Sequence, residues 1–574
     1  MLRIHEIKLD VMEPLSHLPD AIRRKLRCKE LELSSWNIVK ESLDARDKGN
    51  IKRVHSIDFE LASIENKSFK NEEERRSAEE TLLRKNKKIK LEPVVARQYE
   101  YVIPRICIDQ NSNLDGGVDV KNRMTKRPLV VGFGPCGMFC ALLLAQMGLR
   151  PLVLERGRAM EQRTEEVQRF WEDGKLDIHS NVQFGEGGAG AFSDGKLTTQ
   201  IKDPRVRKVL EELVAAGSNR DILYKQKPHI GTDVLRKVVV NIREQILNLG
   251  GEIHFESQMT SFEKKNGRVS GVFVNQGEFI PSDFVVLALG HSARDTLQML
   301  HESSVEMEQK PFSMGVRIEH PQSMIDESQY GKRYSEYRLG AADYKLSHHC
   351  RDGRGVYTFC MCPGGLVIAA ASEEGGVVTN GMSYRSRDLE NANSGLLVDV
   401  RTEDFESEHP LAGIYFQQKY ERLAFELGGK NYHAPAQRVG DFLNDRMPSK
   451  DTGDVQNKIQ PTYKPGVCWT DLRKCLPAFV TESIKEALPF LGRKIQGFDR
   501  EDAVMTALES RSSSPVRILR NRKYMCNIEG IYPAGEGAGY AGGIVSAAVD
   551  GIKIAEEIAR VYKEYKYDKT REVR

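Results

Sequence analysis

The chain has 574 residues, more than one hydrophobic core usually supports, so two or three domains are expected. With 40% hydrophobic and 29% charged residues and a net charge of +3, it suits a globular protein and gives no electrostatic argument for nucleic acid or a membrane surface. No apolar run approaches the ~20 residues of a membrane span, Met1-Leu2-Arg3-Ile4-His5-Glu6 lacks the basic and apolar regions of a signal peptide, and ten cysteines scattered without a C-x-x-C fit a reducing cytosol.

Residues 1–110 read as a small α/β unit. Leu2 to Leu9 alternate as a strand. Pro19 to Cys28 pattern as a basic amphipathic helix, with the proline at its start where a missing N–H costs little. Trp36 to Ala45 reads as a further helical turn and Val54 to Leu61 as a second strand. Strand, helix, helix, strand permits a ferredoxin-like sheet. Arg23, Arg24, Lys25, Arg27 and Lys29 make a basic run, but acids are interleaved through the unit, so a solvated helix face accounts for it better than a nucleic-acid patch. Between Asn66 and Lys90 the i,i+4 pairs Glu72–Arg76 and Glu80–Arg84 point to an exposed helix. Residues 111–127, rich in Asn, Asp, Gly and Lys, read as a linker.

The next stretch, 128–302, carries the most specific signal. Leu129 to Val131 form a short apolar strand, and Gly132-x-Gly134-x-x-Gly137 follows it directly. The first glycine allows the tight turn, the second lets backbone approach a diphosphate, and the third lets helix and strand pack closely. Pro135 suits the first helical turn, beside Cys136. Met138 to Met147 is apolar on nearly every side, as a helix buried against a sheet must be. Leu152 to Leu154 form the second strand, with Glu155 at its end to accept both hydroxyls of an adenosine ribose, and Arg156 beyond. The helix N-terminus offers free N–H groups to the diphosphate.

Phe184 to Lys196 holds five glycines, a loop whose backbone lies close to something flat or anionic. Gly188 and Ala189 belong to its backbone, and Ser193 and Lys196 are its polar groups. Thr232 to Leu249 is a long helix ended by Gly250-Gly251. Glu252 to Phe255, Met259 to Phe262 and Arg268 to Val274 read as a small antiparallel meander. The apolar strand from Phe284 into Gly290 belongs in a buried parallel sheet.

From 303 to 495 the pattern becomes that of an inserted α+β domain. Strands are expected at Met314–Ile318, Tyr337–Leu339, Val356–Met361 and Leu366–Ala371, and helices at Ile414–Leu427 and Ala478–Ala487. Cys360-Met-Cys362 on a straight strand spans too far for a disulfide, and the segment reads as a strand ending in a glycine turn. His348-His349 lacks partners at ligand spacing, and no metal is expected. Residues 496–574 return to the first fold. In Glu509 to Arg517, Arg511, Ser513 and Arg517 are candidates to clamp a polar or anionic substrate, with a hydroxyl-rich loop feeding an edge strand as the equal alternative. Near the end a strand runs into Gly535-Glu536, and Gly542-Gly543-Ile544 opens an apolar helix, a second loop-to-helix anion site.

These parts together resemble flavoproteins of the glutathione-reductase-type FAD fold, through Gly132-x-Gly134-x-x-Gly137, Glu155-Arg156-Gly157, Ala288-Leu289-Gly290 and Gly535-Glu536 with Gly542-Gly543-Ile544. A closer resemblance, over nearly the whole chain, is to the uncharacterised FAD-dependent dehydrogenases with a ferredoxin-like extension. It rests on Gly185 to Leu197, Phe359 to Gly365, Asn380 to Ser383 and Ser512 to Arg517. The resemblance implies a Rossmann-like α/β FAD-binding domain, an inserted α+β substrate domain and a small N-terminal domain. It implies that Glu536, where aspartate is usual, meets ribityl and pyrophosphate, that Ile544 faces the flavin pyrimidine edge, that Ser193 and Lys196 lie near the ring, and that the Met259 backbone meets adenine. The expected function is an FAD-dependent oxidoreductase passing hydride through flavin N5 to or from a small molecule. No second G-x-G-x-x-G follows a strand, so NAD(P)H would visit only transiently as donor, and the missing C-x-x-C argues against a disulfide reductase. An FAD-dependent tRNA-modifying protein and a non-enzymatic flavin redox sensor, its N-terminal domain docking a protein partner, are the competing readings.

Overall fold

The computed structural model describes residues 1–64, 67–95, 98–103, 127–337, 339–448 and 459–571, and all but Arg127 of the expected linker at 111–127 lies outside them. The N-terminal unit runs strand Leu2–Asp10, helix Leu18–Leu26, strands Leu31–Asp44 and Lys52–Ile64, helix Glu72–Lys85 and strand Leu91–Pro93. This is the βαββαβ order of a ferredoxin-like fold. The central Leu2–Asp10 pairs antiparallel with Lys52–Ile64 and Leu91–Pro93, and Leu31–Asp44 forms the far edge. The helical turn expected at Trp36–Ala45 is therefore a strand. Its side chains are nearly all exposed or half-buried, so the alternation that marks a strand is missing from its sequence. The edge strand ties the unit to the rest of the chain: Glu41 N–H donates to the Tyr224 carbonyl at 2.7 Å, and Gln226 N–H to the Glu41 carbonyl at 2.8 Å. Tyr99 and Tyr101 pack on the core of the next domain, where the Tyr99 hydroxyl donates to Glu556 at 2.8 Å, so the first unit ends well before residue 110.

The second unit is a five-stranded parallel sheet in the order Ile531–Pro533, Val285–Leu287, Leu129–Val131, Leu152–Leu154, Glu252–His254. Its central strands are buried throughout, which is why their sequences are continuous apolar runs. Glu252–His254 was expected in the meander; three residues carry no mark of parallel or antiparallel pairing, and it lies on the edge beside Leu152–Leu154. The meander proper is Met259–Lys265, Arg268–Val274 and Glu278–Pro281. Helices Pro135–Gln146 and Ile544–Arg571 cross against one another, close enough that a Cβ on Gly551 would come 2.1 Å from the Cys136 carbonyl oxygen.

The third unit is a seven-stranded sheet. Its order is Ser347–His349, Gly355–Cys362, Asn391–Val400, Phe312–Pro321, Val504–Glu509, Ala434–Arg438, Val467–Trp469. Helices Ala412–Leu427 and Ala478–Lys494 help close its own core. Val504–Glu509 pairs with Phe312–Pro321 inside this sheet, so the chain returns to the parallel-sheet unit after Glu509 rather than at 496. A 3-10 turn, Tyr334–Glu336, precedes the strand expected at Tyr337–Leu339, and the described residues there, Tyr337 and Leu339, are not in a strand.

Candidate functional site

A cavity of about 1010 Å³ runs from the carboxyl ends of the parallel strands, at Val131, Leu154, Ala288 and Ala534, to the face of the seven-stranded sheet. Clefts in open parallel sheets form at those ends because the glycine turns there leave the backbone bare. Gly132 takes φ +100°, and a Cβ on it would lie 2.3 Å from the Ala288 carbonyl oxygen. Gly137 does not line the cavity. It lets the helix seat, since its Cβ would fall 1.9 Å from the Gly132 carbonyl oxygen. Gly134 caps the helix that begins at Pro135 and faces Gly188 of the second glycine loop, whose own Cβ would come 2.9 Å from the Gly134 Cα. Pro135, Cys136, Gly188, Ala189, Met259 and Gly290 all line the space. Cys136 is packed within it and burial pushes its thiol well up, so it is a wall and not a nucleophile.

Glu155 lines the cavity but is already engaged. Its Oε1 accepts N–H groups from Gly157 (3.0 Å) and Gly185 (2.9 Å), and Oε2 accepts that of Phe133 (2.8 Å). One acceptor position on Oε2 remains for a ribose hydroxyl, where the sequence pattern suggested both hydroxyls. Arg156 donates to Asp295 at 2.9 Å and lies 4.4 Å over the Phe184 ring. Ser193 spends its hydroxyl on the loop, donating to the Gly190 carbonyl at 2.7 Å and accepting from Gly195 N–H at 3.1 Å.

Lys196 spans the two units. It donates to Asp194 at 2.9 Å and to the carbonyl of Met361 on the opposite wall. Asp194 is fully buried, and from that wall Arg387 also reaches it, at 2.9 and 2.5 Å. Burial alone would raise the Asp194 carboxyl, but Lys196 and Arg387 hold it well below the usual carboxylate range. On the same wall the fully buried Arg317 donates to Glu509, to the Cys360 carbonyl at 2.9 Å, and to Asn393 and Asn380 at 3.0 and 3.2 Å. Burial pushes Glu509 up to about 7 in spite of Arg317.

At the other glycine turn Gly535 packs on Cys136 behind the cavity, its N–H donating to Asp550 at 2.8 Å, while Glu536, Gly542, Gly543 and Ile544 line the space. No hydrogen bond among the described residues reaches the Glu536 carboxylate, and burial, eased by Lys310, pushes it up to about 7. A folded-state value raised from 4.5 means that its ionisation costs stability progressively from pH 4.5 to about 7. In the FAD-free protein Glu536→Gln is therefore expected to melt higher than wild type at pH 8, by on the order of 1–3 kcal/mol, and to match it at pH 4.5. Equal melting temperatures at pH 8 would contradict this.

The expected substrate clamp does not assemble. Arg511 lines the cavity, but its guanidinium grips Glu421 at 2.9 and 3.1 Å and the hydroxyls of Ser292 and Ser372. Arg517 pairs with Glu308 at 3.2 Å on the surface, and Ser513 accepts from Lys310 at 3.4 Å; neither lines the cavity. Sequence reasoning missed Asp194, Arg317 and Arg387, whose partners are remote in the chain. It also missed that folding brings His348 within 4.8 Å of Cys350 and Glu486. There the Glu486 carboxylate already accepts the Arg351 N–H at 3.1 Å and the Cys350 thiol donates to the Ser483 carbonyl at 3.6 Å.

The residues present fit an extended dinucleotide: Gly132, Gly137 and Gly188, where a Cβ would collide with backbone, a helix N-terminus at Pro135, and at Glu536 an acid with no hydrogen-bond partner among the described residues. Residues 311–512 match the family described as FAD-dependent protein, C-terminal domain-like, and residues 1–60 match a domain of unknown function. An uncharacterized protein of Clostridium beijerinckii is 47% identical over 559 residues, covering 97% of this chain and 98% of its own. Among solved structures, L-proline dehydrogenase from P. horikoshii aligns at TM-score 0.32 and 12% identity, over 76% of this chain and 93% of its own. A geranylgeranyl bacteriochlorophyll reductase-like protein from Thermoplasma acidophilum aligns at TM-score 0.34 and 13% identity, over 77% and 82%.

Proposed function

We propose that the chain, which belongs to one family with the uncharacterized Clostridium beijerinckii protein and matches the FAD-dependent protein, C-terminal domain-like model at 311–512, is an oxidoreductase that transfers hydride to or from a small substrate held beneath that domain. FAD, when bound, supplies the two-electron chemistry at flavin N5. Gly132, Gly134 and the helix N-terminus at Pro135 would hold its diphosphate, and Glu155 one ribose hydroxyl. Glu536 would accept from a ribityl hydroxyl, an interaction that favours its ionised form. Met259 and Gly290 would wall the two ends of the cradle.

One observation carries the reading. Lys196 donates to the Met361 carbonyl, and Asp194 holds Arg387, so the cofactor loop is latched to the domain opposite. A substrate that enters is walled by both units at once. The latch joins the two units and keeps Lys196 charged, because Asp194 offsets the burial that would otherwise favour the neutral amine. A cation held there stabilises negative charge on a neighbouring group without having to move a proton.

The visible spectrum of the FAD-loaded protein, recorded anaerobically with NADPH or NADH, tests this. Rapid bleaching makes it a pyridine-nucleotide-driven reductase with NAD(P)H as a transient visitor. A flavin that stays oxidised with both, yet bleaches with a reduced organic substrate, makes it a substrate-driven dehydrogenase. A protein that takes up FAD but turns over with no donor or acceptor would overturn the enzymatic reading.

A further inference from the structure

The strand Gly355–Cys362 kinks before it ends. Its pairing with Asn391–Val400 slips between Phe359 and Cys362. Within the slip Cys360 takes φ +43°, a left-handed conformation that costs a non-glycine residue about 1–2 kcal/mol. The kink is held by the cations behind it: Arg317 donates to the Cys360 carbonyl at 2.9 Å and Lys196 to that of Met361. Phe359, Cys360 and Met361 all line the cavity, and Cys360 is part-exposed to it. Cys362 is fully buried behind, its Sγ 3.2 Å from the Cys360 carbonyl oxygen.

The surroundings of Cys360 are cationic and sulfur-rich. The Cys362 sulfur lies beside it, its thiol donating to the Cys360 carbonyl oxygen, and Lys196 and Arg317 face it as cations. The facing acids, Asp194 and Glu509, are themselves paired, Asp194 with Lys196 and Arg387, Glu509 with Arg317. The Cys362 contact comes first; together with the two cations it overcomes burial and holds the Cys360 thiol well below its usual value, while Cys362 is pushed well up. Low-pKa, partly exposed cysteines in electropositive surroundings are the reactive ones. An independent observation marks the same end of the cavity as a ligand site. The Thr379 hydroxyl, 1% exposed and lining the cavity, has no hydrogen-bond partner among the described residues, and its neighbour Asn380 is held by Arg317.

We infer that Cys360 is a nucleophile built into the wall opposite the cofactor cradle, and that it takes a low-molecular-weight disulfide as its covalent partner. The Cys360 sulfur forms a new S–S bond while the S–S bond of the ligand breaks. The electron pair leaves on the departing sulfur, which takes a proton from solvent as a free thiol. Cys360 is oxidised to a mixed disulfide, half of the ligand is reduced, and no other oxidant is required. No histidine hydrogen bond to Cys360 is present among the described residues, which disfavours acyl transfer, where a base must serve the nucleophile. The exchange passes between sulfurs alone, so it goes beyond the hydride-transfer reading and does not depend on it.

The test mixes FAD-loaded protein with one equivalent of dithiobis(nitrobenzoate), follows thionitrobenzoate release from about pH 5 to 9, and maps the adduct by peptide mass spectrometry. The expected result is one fast equivalent on the peptide containing Cys360, at least about tenfold faster at pH 6 than the remaining thiols, and absent in Cys360→Ser. Lys196→Met is expected to shift the midpoint of the pH profile upward while the far-ultraviolet spectrum stays unchanged. A first equivalent on any other cysteine, such as the part-exposed Cys28 or Cys468, would overturn the proposal. So would a fast phase with the ordinary thiol midpoint of about 8.5. Mapping is done on wild type, so a misfolded variant cannot decide the outcome, and flavin absorbance reports separately on the cofactor.

Discussion

Gly137→Ala is expected to yield a protein without flavin absorbance, its affinity for added FAD reduced at least about a hundredfold, equivalent to about 2.7 kcal/mol. The new Cβ would stand 1.9 Å from the Gly132 carbonyl oxygen and 3.3 Å from the Ala288 Cβ. Neither side can give way easily. Gly132 is held at φ +100° against Ala288, and the helix that carries Gly137 is buried along nearly its whole length and crossed at Cys136 by Gly551. Overpacking a core commonly costs about 1–3 kcal/mol, and here the displaced atoms are the backbone that would meet the diphosphate. Gly277→Ala is the control: a Cβ there meets nothing within 4 Å and the residue does not line the cavity, so the variant should retain FAD. Absorbance at the flavin maximum and titration with FAD decide between them. A yellow Gly137→Ala protein would show that the loop tolerates a wider turn than its geometry allows.

Glu421→Gln is expected to destabilise the protein by about 3–5 kcal/mol at neutral pH. Glu421 is 2% exposed on helix Ala412–Leu427, clamped by Arg294 at 2.8 and 2.9 Å and by Arg511 at 2.9 and 3.1 Å. Ser510 adds a hydroxyl donor at 2.6 Å. Arg294 comes from the parallel-sheet unit, so this carboxylate fastens the two domains. With its charge gone, Arg511 keeps only neutral acceptors and Arg294 keeps Glu373, itself 32% exposed. Burial would raise the Glu421 carboxyl, but the two guanidinium groups hold it well below its usual value. Its contribution is therefore present above the unfolded value near 4.5 and is lost as the pH falls. Denaturant midpoints for wild type and variant should lie far apart at pH 7 and draw together in acid. A constant gap at all pH values would show that the charge of Glu421 is not what fastens the domains.

Much of the cofactor half was legible because its requirements are local. Gly132 needs a positive φ and Gly137 needs an absent Cβ, and both demands fall within a strand, a turn and a helix contiguous in the chain. The second glycine turn at Gly535 to Ile544 could be read for the same reason. Edge strands were less legible. Leu31–Asp44 shows solvent to both faces and Glu252–His254 is three residues long, so neither has a periodicity that names its partner.

By itself the sequence determined the strand–glycine–helix cradle, the second loop at Glu536 and the division into a parallel-sheet unit and an inserted one, because side-chain period and glycine freedom are properties of short stretches. Only the tertiary structure decided the opposite wall. Asp194 meets Arg387 across 193 residues and Arg317 meets Glu509 across 192. Such pairs leave no mark in sequence spacing, since a charged residue is compatible with a solvated surface until the fold removes the water from around it. The placing of Cys360 has the same origin: its strand is ordinary in composition, and it is the slipped pairing with Asn391–Val400, held by Arg317 and Lys196, that sets it in the cavity wall.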